Sequence, residues 1–312
     1  MTLNRTQPLR IGTRGSPLAL AQAHETRDRL IAAHPHLAAP GAIEIVVFKT
    51  TGDRILDRTL AEAGGKGLFT KELEDALLDG RTDLAVHSMK DVPTWLPEGL
   101  EIATLLPRED TRDAFFSRGG HTVDTLPAGS VVGTAGLRRQ AQILERRPDL
   151  KVVPFRGNVQ TRLAKLDAGE VDATLLALAG LRRLGLTDRI TAVLEHEEML
   201  PAVAQGAIGI EIRSSDDATR ALLAPLNCAG TAARVTAERA LLAMLDGSCR
   251  TPIAALSTLD GDRLHLKAKV LSNDGRQVFR AERRGLAGDA AAIGADAGAE
   301  IKAVLPPGFF QA

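Results

Sequence analysis

Cysteine and aromatic residues are the scarce ones in this chain of 312: there are two Cys, one Trp, eight Phe and no Tyr. Two thiols, Cys228 and Cys249, can neither build a disulfide framework nor fill a four-ligand zinc site, so both are expected free in a reducing compartment. Nine aromatics give little to stack on bases, and 39 Lys plus Arg against 39 Asp plus Glu leave no whole-chain field for a polyanion. A nucleic-acid partner is therefore not expected. No apolar run approaches the roughly 18 residues of a membrane span, and the polar opening MTLNRTQPLR lacks a signal-peptide core. The expectation is a cytoplasmic chain with no membrane partner. With no nucleophile-elbow serine, HExxH or second Cys at metal spacing, hydrolase chemistry and a bound metal have no support.

At 44% hydrophobic and 25% charged the composition is that of a globular protein, and the length suits two or three domains. The stretch from Leu9 to Ala33 reads as a strand, a Gly-bounded turn and a helix with Ser16 at its N-cap and Pro17 at its first position. A second strand is read at 43–48, then a helix ending near Gly80, a short strand over 83–87 and the loop SMKDVP. The order recurs: VGTAG followed by a helix answers IGTRG, and RLAKLDAGEVDATLLA answers LEDALLDGRTDLAVHS. Two similar α/β halves, each presenting loops from the carboxyl ends of its strands, are expected to hold a ligand in the cleft between them. The run PAVAQGAIGIEI reads as a strand returning to the first half. Beyond a helix over 231–245 come three strands joined by turns at DGDR and NDGR, then an Ala-rich helix with Asp289 as its expected N-cap.

Arginine is the strongest chemical signal. Between Arg138 and Arg183 ten Lys or Arg face five acids. Arg138 and Arg139 follow a Gly turn at a helix start, where backbone N–H groups already favour an anion. Arg156 precedes Gly157, Arg162 lies on the next helix, and Arg14 holds the equivalent turn in the first half. Guanidinium forks suit carboxylates and phosphates, so this set points to a ligand with several acid groups. Arg146, Arg147 and Arg182 read instead as solvated faces. GGKGLF lacks the Walker spacing; its Lys66 suits an anion, or the loop is simply flexible with Phe69 packed on the next helix. His87 reads as a structural histidine. Asp91, beside Lys90 at a strand end, is either a surface pair or a reacting group. Cys249, flanked by Gly and Ser with Arg250 beside it, is the more reachable thiol.

The segments IGTRGSPLALAQA, GDRILD, GGKGLFTKELEDALLDGRTDLAVHSMKDVP, PREDTRDAF, GLRRQAQ, RPDLKV, RGNVQTRLAKLDAGE, LPAVAQGAIGIE and RVTAERALLAMLDGSCRTPIA, in unbroken order from about Leu9 to Arg284, resemble the porphobilinogen deaminase (hydroxymethylbilane synthase) family. The resemblance implies two periplasmic-binding-protein-like α/β domains with a cleft between them, 1–106 with 206–224 and 107–205. A small α+β domain with a three-stranded antiparallel sheet would follow over 225–312. It implies a transferase that joins four porphobilinogen molecules head to tail with loss of ammonia and releases the linear tetrapyrrole hydroxymethylbilane, working as a monomer. The primer would be a dipyrromethane cofactor in thioether linkage to Cys249. Asp91 matches the family's catalytic carboxylate. Lys90, Asp91, Thr134, Arg138, Arg139, Arg156 and Gly157 match cofactor-binding positions, and Arg14, Ser16, Phe69, Arg156, Arg162 and Arg183 match substrate-binding ones. One departure stands out: two serines usual in the family before Leu-Arg-Arg are here Ala135 and Gly136. A non-catalytic polycarboxylate sensor would share the fold and arginines, but has no use for Asp91 or Cys249.

Overall fold

The computed structural model describes residues 7–54, 67–247 and 251–311, and these fall into two compact units. The first contains β1 (Leu9–Arg14), α1 (Pro17–Ala33), β2 (Ile43–Phe48), α2 (Thr51–Arg54), α3 (Lys71–Leu78), β3 (Leu84–Ser88) and β4 (Leu100–Leu105). From Glu109 the chain builds the second unit with β5 (Asp113–Ser117), β6 (Val131–Gly133), α4 (Leu137–Arg146), β7 (Lys151–Val153), α5 (Val159–Asp167), β8 (Ala173–Ala177), α6 (Leu178–Leu184) and β9 (Ala192–Leu194). It returns to the first unit with β10 (Ile208–Arg213) and α7 (Asp217–Leu223). After α8 (Ala229–Met244), the strands β11 (Ile253–Asp260), β12 (Arg263–Leu271) and β13 (Val278–Leu286) and the helix α9 (Ala290–Val304) belong to the second unit, which thus includes the C-terminal α+β stretch.

The two larger sheets share one plan. In the first unit the strand order is β2-β1-β3-β10-β4, and in the second it is β7-β6-β8-β5-β9. In each, the first three strands are parallel and the fourth and fifth positions follow in antiparallel pairing. The echo between IGTRG and VGTAG is therefore a repeat of topology, with β6 taking the place of β1. As the sequence suggested, the apolar run near 208 returns to the first sheet, where Ile210 stands opposite Val86. Central strands buried on both faces are predominantly apolar, and Leu9, Ile11, Leu84, Val86, Ile208, Ile210 and Ile212 form one such core.

Local chemistry explains the helix ends. Ser16 Oγ accepts the Ala19 N–H at 3.3 Å and Pro17 opens α1. The C-terminal strands pair in antiparallel order β11-β12-β13, with turns at Gly261 and Gly275, which adopt φ of 58° and 73°. On α9, a Cβ at Gly298 would lie 2.7 Å from Met244 Cβ, so glycine there lets the helix press against α8. The expected cap of α9 differs. Asp289 makes no side-chain cap bond, because a 3₁₀ turn over Ala287–Asp289 runs straight into the helix and holds it at ψ 14°, away from extended geometry. Among the described residues no helix is long and apolar enough to cross a membrane.

Candidate active site

In the first unit β1 and β3 lie side by side and parallel, Ile11 opposite Leu84, so the loops after them leave the same edge of the sheet. Arg14 ends β1 and Ser16 lies in the turn after it. After β3 the expected loop is a 3₁₀ turn, Met89–Asp91, which delivers Lys90 and Asp91. Met89 anchors it: the side chain is buried against Gly209, and its N–H donates to Ala207 O at 3.0 Å. Asp91 remains partly open, 3.6 Å from the Arg14 guanidinium, and that guanidinium lies 4.2 Å over the Phe69 ring. Ser16 is occupied at least in part by its capping bond. The structure thus gathers Arg14, Phe69 and Asp91, with Ser16 and Lys90 on the adjoining turns.

Beneath this turn His87 is directed into the core, its Nε2 2.9 Å from Glu211 Oε2, as suits a structural histidine. No group of His, Cys, Asp and Glu among the described residues is arranged to hold a metal ion. Glu74 on α3 is buried nearby; burial pushes its carboxyl up, and the Glu211 charge adds to this. A raised carboxyl value in the fold means that the neutral form is favoured, a contribution complete below the unfolded value of about 4.3 and lost as pH rises through the folded one. Glu74→Gln, neutral at every pH, is expected to raise Tm at pH 8 by about 2–4 °C, the effect of about 1 kcal/mol in a unit of this size. No gain is expected at pH 4. Thermal melts at the two pH values check it, and an equal change at both would refute it.

In the second unit β6 is parallel to β7 and β8, and the predicted arginines follow these strands: Arg138 and Arg139 in the first turn of α4, Arg156 in the loop after β7, Arg162 on α5 and Arg183 on α6. Thr134 Oγ1 accepts the Gly136 N–H at 3.2 Å, and Gly136 precedes α4 without a side-chain cap. A Cβ at Gly136 would meet nothing nearer than Thr134 Oγ1 at 3.9 Å, and its φ of −97° suits any residue, so the serine usual in the family has room there. Gly157 has no such latitude. Its φ is 126° and a Cβ would fall 2.7 Å from Thr161 Cγ2, which ties the backbone beside Arg156 to glycine.

Arg138 and Arg139 converge on a residue that the arginine pattern did not reveal, Asp113 at the head of β5. Arg138 Nη2 donates to Asp113 Oδ2 at 2.7 Å and Arg139 Nη2 to Oδ1 at 2.8 Å, while Arg138 Nη1 donates to Leu200 O at 2.6 Å. Both guanidiniums are buried, and Asp113 has no exposed surface. Burial by itself would raise the Asp113 carboxyl, but the charges of Arg138 and Arg139 and their hydrogen bonds outweigh it and hold it well below the carboxylate range. Arg138 is thus engaged with protein partners at two nitrogens, a role absent from the sequence reading, which had it only as a carboxylate ligand. Arg139 and Arg162 differ from it. Each has a buried Nε with no hydrogen-bond partner among the described residues. Arg162 is pushed down to about 10, first by burial and then by the neighbouring Arg139 charge, against a smaller opposing pull from Asp113.

A polycarboxylate group such as a dipyrromethane needs cationic donors that are not already matched by acids of the protein. Two guanidiniums, Arg138 and Arg139, meet the one carboxylate of Asp113 and a third, Arg162, stands near them; Arg139 and Arg162 each keep an unused Nε donor, so the set lacks an acid partner of the kind a polycarboxylate ligand supplies. It fits. Arg183, expected at the same site, donates to Gly206 O at 3.2 Å. Arg146, Arg147 and Arg182 form ion pairs with Asp124 and Glu198, with Asp149, and with Glu109 and Asp110, as solvated faces do. Cys249 and Lys66 lie outside the described residues. Cys228 is half-buried just before α8, its N–H donating to Leu105 O at 2.8 Å.

Comparison with known proteins follows the same lines. Residues 9–221 match the family model described as porphobilinogen deaminase, dipyromethane cofactor binding domain, and residues 232–303 match the C-terminal domain of porphobilinogen deaminase. The chain is 60% identical over 304 residues to the porphobilinogen deaminase of Paracoccus denitrificans, covering 97% of this chain and 96% of that one. It is also 60% identical to the chloroplastic porphobilinogen deaminase of Oryza sativa, over 97% of this chain and 86% of the other. Among solved structures, a Salmonella typhimurium periplasmic binding protein aligns at TM-score 0.41 and 12% identity over 70% of this chain and 91% of its own. The VFT2 domain of Bordetella pertussis BvgS aligns at TM-score 0.40 and 16% identity, over 69% and 84%. With two family models in sequence across most of its length and relatives this similar end to end, the chain belongs to the porphobilinogen deaminase family.

Proposed function

We propose that this chain is a transferase that joins four porphobilinogen molecules head to tail, releasing ammonia at each step, on a dipyrromethane primer attached through Cys249, and sets free the linear tetrapyrrole hydroxymethylbilane. The observation that carries the reading is the pair of buried Nε donors without partners, on Arg139 and Arg162, in a family whose pyrrole ligands bear acetate and propionate chains. Arg139, Arg156, Arg162 and Arg183 hold those carboxylates, with Thr134, Gly157 and the start of α4 as further anion contacts. Arg14, Ser16 and Lys90 serve the incoming substrate, and Phe69 keeps the Arg14 guanidinium in place by stacking. Departure of ammonia from the aminomethyl group leaves a cation on the substrate's pyrrole, and Asp91 stabilises it as a fixed carboxylate and receives the proton released when the new carbon–carbon bond is made. When bound, dipyrromethane supplies the free α-carbon to which the substrate methylene is joined. The thiolate suits this attachment because sulfur is a strong nucleophile toward a pyrrole methylene and the thioether outlasts turnover.

The same proposal divides the chain into three domains at 106, 205 and 224, with the cofactor on the last, and has it work as a single cytoplasmic chain. Intact-mass and peptide spectra of the purified protein test the whole. The expected result is the added mass of a dipyrromethane, located on Cys249, with Cys228 unmodified. An unmodified Cys249 in protein that turns over porphobilinogen would overturn it.

A further inference from the structure

The carboxylate of Asp113 is bound from three sides. Oδ1 accepts from Arg139 Nη2 at 2.8 Å and from Gln205 Nε2 at 2.9 Å, and Oδ2 accepts from Arg138 Nη2 at 2.7 Å. Gln205 is itself pinned by a bond to Thr111 O at 2.7 Å, and Arg138 by its bond to Leu200 O, a carbonyl that also accepts from Gln142 Nε2 at 3.0 Å. Asp113 stands in β5, paired with Ala177 of β8 on one side and Leu194 of β9 on the other, so its backbone is fixed inside the sheet. A buried network whose only purpose was to hold the fold would be charge-balanced, because each unpaired buried cation is costly. This one is not. Two guanidiniums meet one carboxylate, a third stands near them, and Arg139 Nε and Arg162 Nε are left without partners.

We propose that Asp113 is a positioning residue for ligand binding: it grips Arg139 by one terminal nitrogen from a rigid strand and leaves that guanidinium's remaining donors aimed, beside Arg162, at a ligand carboxylate. The inference rests on the functional reading given above. Arg138 and Gln205 complete the grip by fixing where the Asp113 oxygens lie. Geometry and charge then make opposite predictions. If Asp113 merely offset positive charge, its neutralisation would strengthen anion binding; if it positions Arg139, binding weakens although the pocket becomes more positive.

Asp113→Asn tests this, with far-UV circular dichroism for folding, intact mass for covalent pyrrole occupancy and steady-state kinetics on the fraction that carries the adduct. The expected result is a folded protein with pyrrole on less than about a tenth of its molecules and a KM for porphobilinogen raised about tenfold, with kcat changed less, as a misplaced binding group produces. A lowered KM, or occupancy and KM both equal to those of the unaltered chain, would overturn the proposal. Should the asparagine variant fail to fold, Asp113→Glu keeps the charge and moves it by one methylene; the same losses are expected, and unaltered occupancy and KM in that variant would overturn the proposal equally. Absence of any pyrrole adduct or turnover in the unaltered chain would instead refute the functional reading.

Discussion

Asp91→Asn is expected to fold, to carry its pyrrole cofactor and to turn over porphobilinogen about a hundredfold or more slowly, the usual consequence of losing one preorganised electrostatic partner. The structural side of this expectation comes from the setting of Asp91. Its side chain is 29% exposed, sits in a turn held by Met89 rather than by itself, and has a 3.6 Å contact with Arg14 that is too long and too open to bear much of the stability. Asparagine keeps the shape and removes the charge, so a cation that develops only during reaction loses its counter-ion while ground-state binding is largely kept. Steady-state kinetics with intact mass and a thermal melt on the same sample would show kcat falling with little change in occupancy or Tm. A variant whose KM alone moved would mean that Asp91 only binds substrate.

Much of the fold could be read locally because its central strands are continuous apolar runs and its helices start and stop on standard chemistry. Ser16-Pro17 marked the start of α1 and Gly80 the end of α3, and β1, β3 and β10 were legible for the same reason that they are largely buried on both faces. The short strands β7 and β9, three residues each, escaped because such a length holds no period, and β5 escaped because its DAFFS follows the charged run PREDTR. Asp289 shows the opposite error. An Asp before an Ala-rich helix is a sound cap signal, yet the preceding 3₁₀ turn fixed its backbone elsewhere.

The site divides along a similar line. Arg14, Arg139, Arg156 and Arg162 could be picked out because a Gly turn running into a helix is a local pattern that also presents donors to an anion. Asp113 could not, since its partners lie 25 and 26 residues away and nothing local separates it from any other acid heading a strand. What could have found it is the arithmetic of burial: an arginine pair on the inner face of α4 needs a buried carboxylate, and Asp113 is an acid that leads directly into an apolar strand. Cys249 rests on the family pattern and on its small neighbours alone.

Arg139→Leu is expected to have the second large effect: cofactor on less than about a tenth of the molecules and turnover down by about a hundredfold or more, with the fold intact. Arg139 is a better test of the anion site than Arg138 because of what each would leave behind. Without Arg138, Asp113 would lose one of its two cations and Leu200 O a strong donor, so any fall in activity would be mixed with a loss of stability. Without Arg139, Asp113 still has Arg138 and Gln205, and leucine fills part of the vacated space with apolar volume. Arg162, already pushed down to about 10 by burial and by the Arg139 charge, is relieved of a repulsive neighbour, which offsets part of the lost pairing. The thermal midpoint is therefore expected to move by no more than about 4 °C, roughly 1 kcal/mol in a unit of this size. Intact mass, kinetics and a melt on one preparation separate the outcomes. Full pyrrole occupancy and unaltered turnover would return Arg139 to a purely structural role, whereas a collapse in Tm alongside the loss of cofactor would show that the buried network, rather than the ligand, is what Arg139 serves.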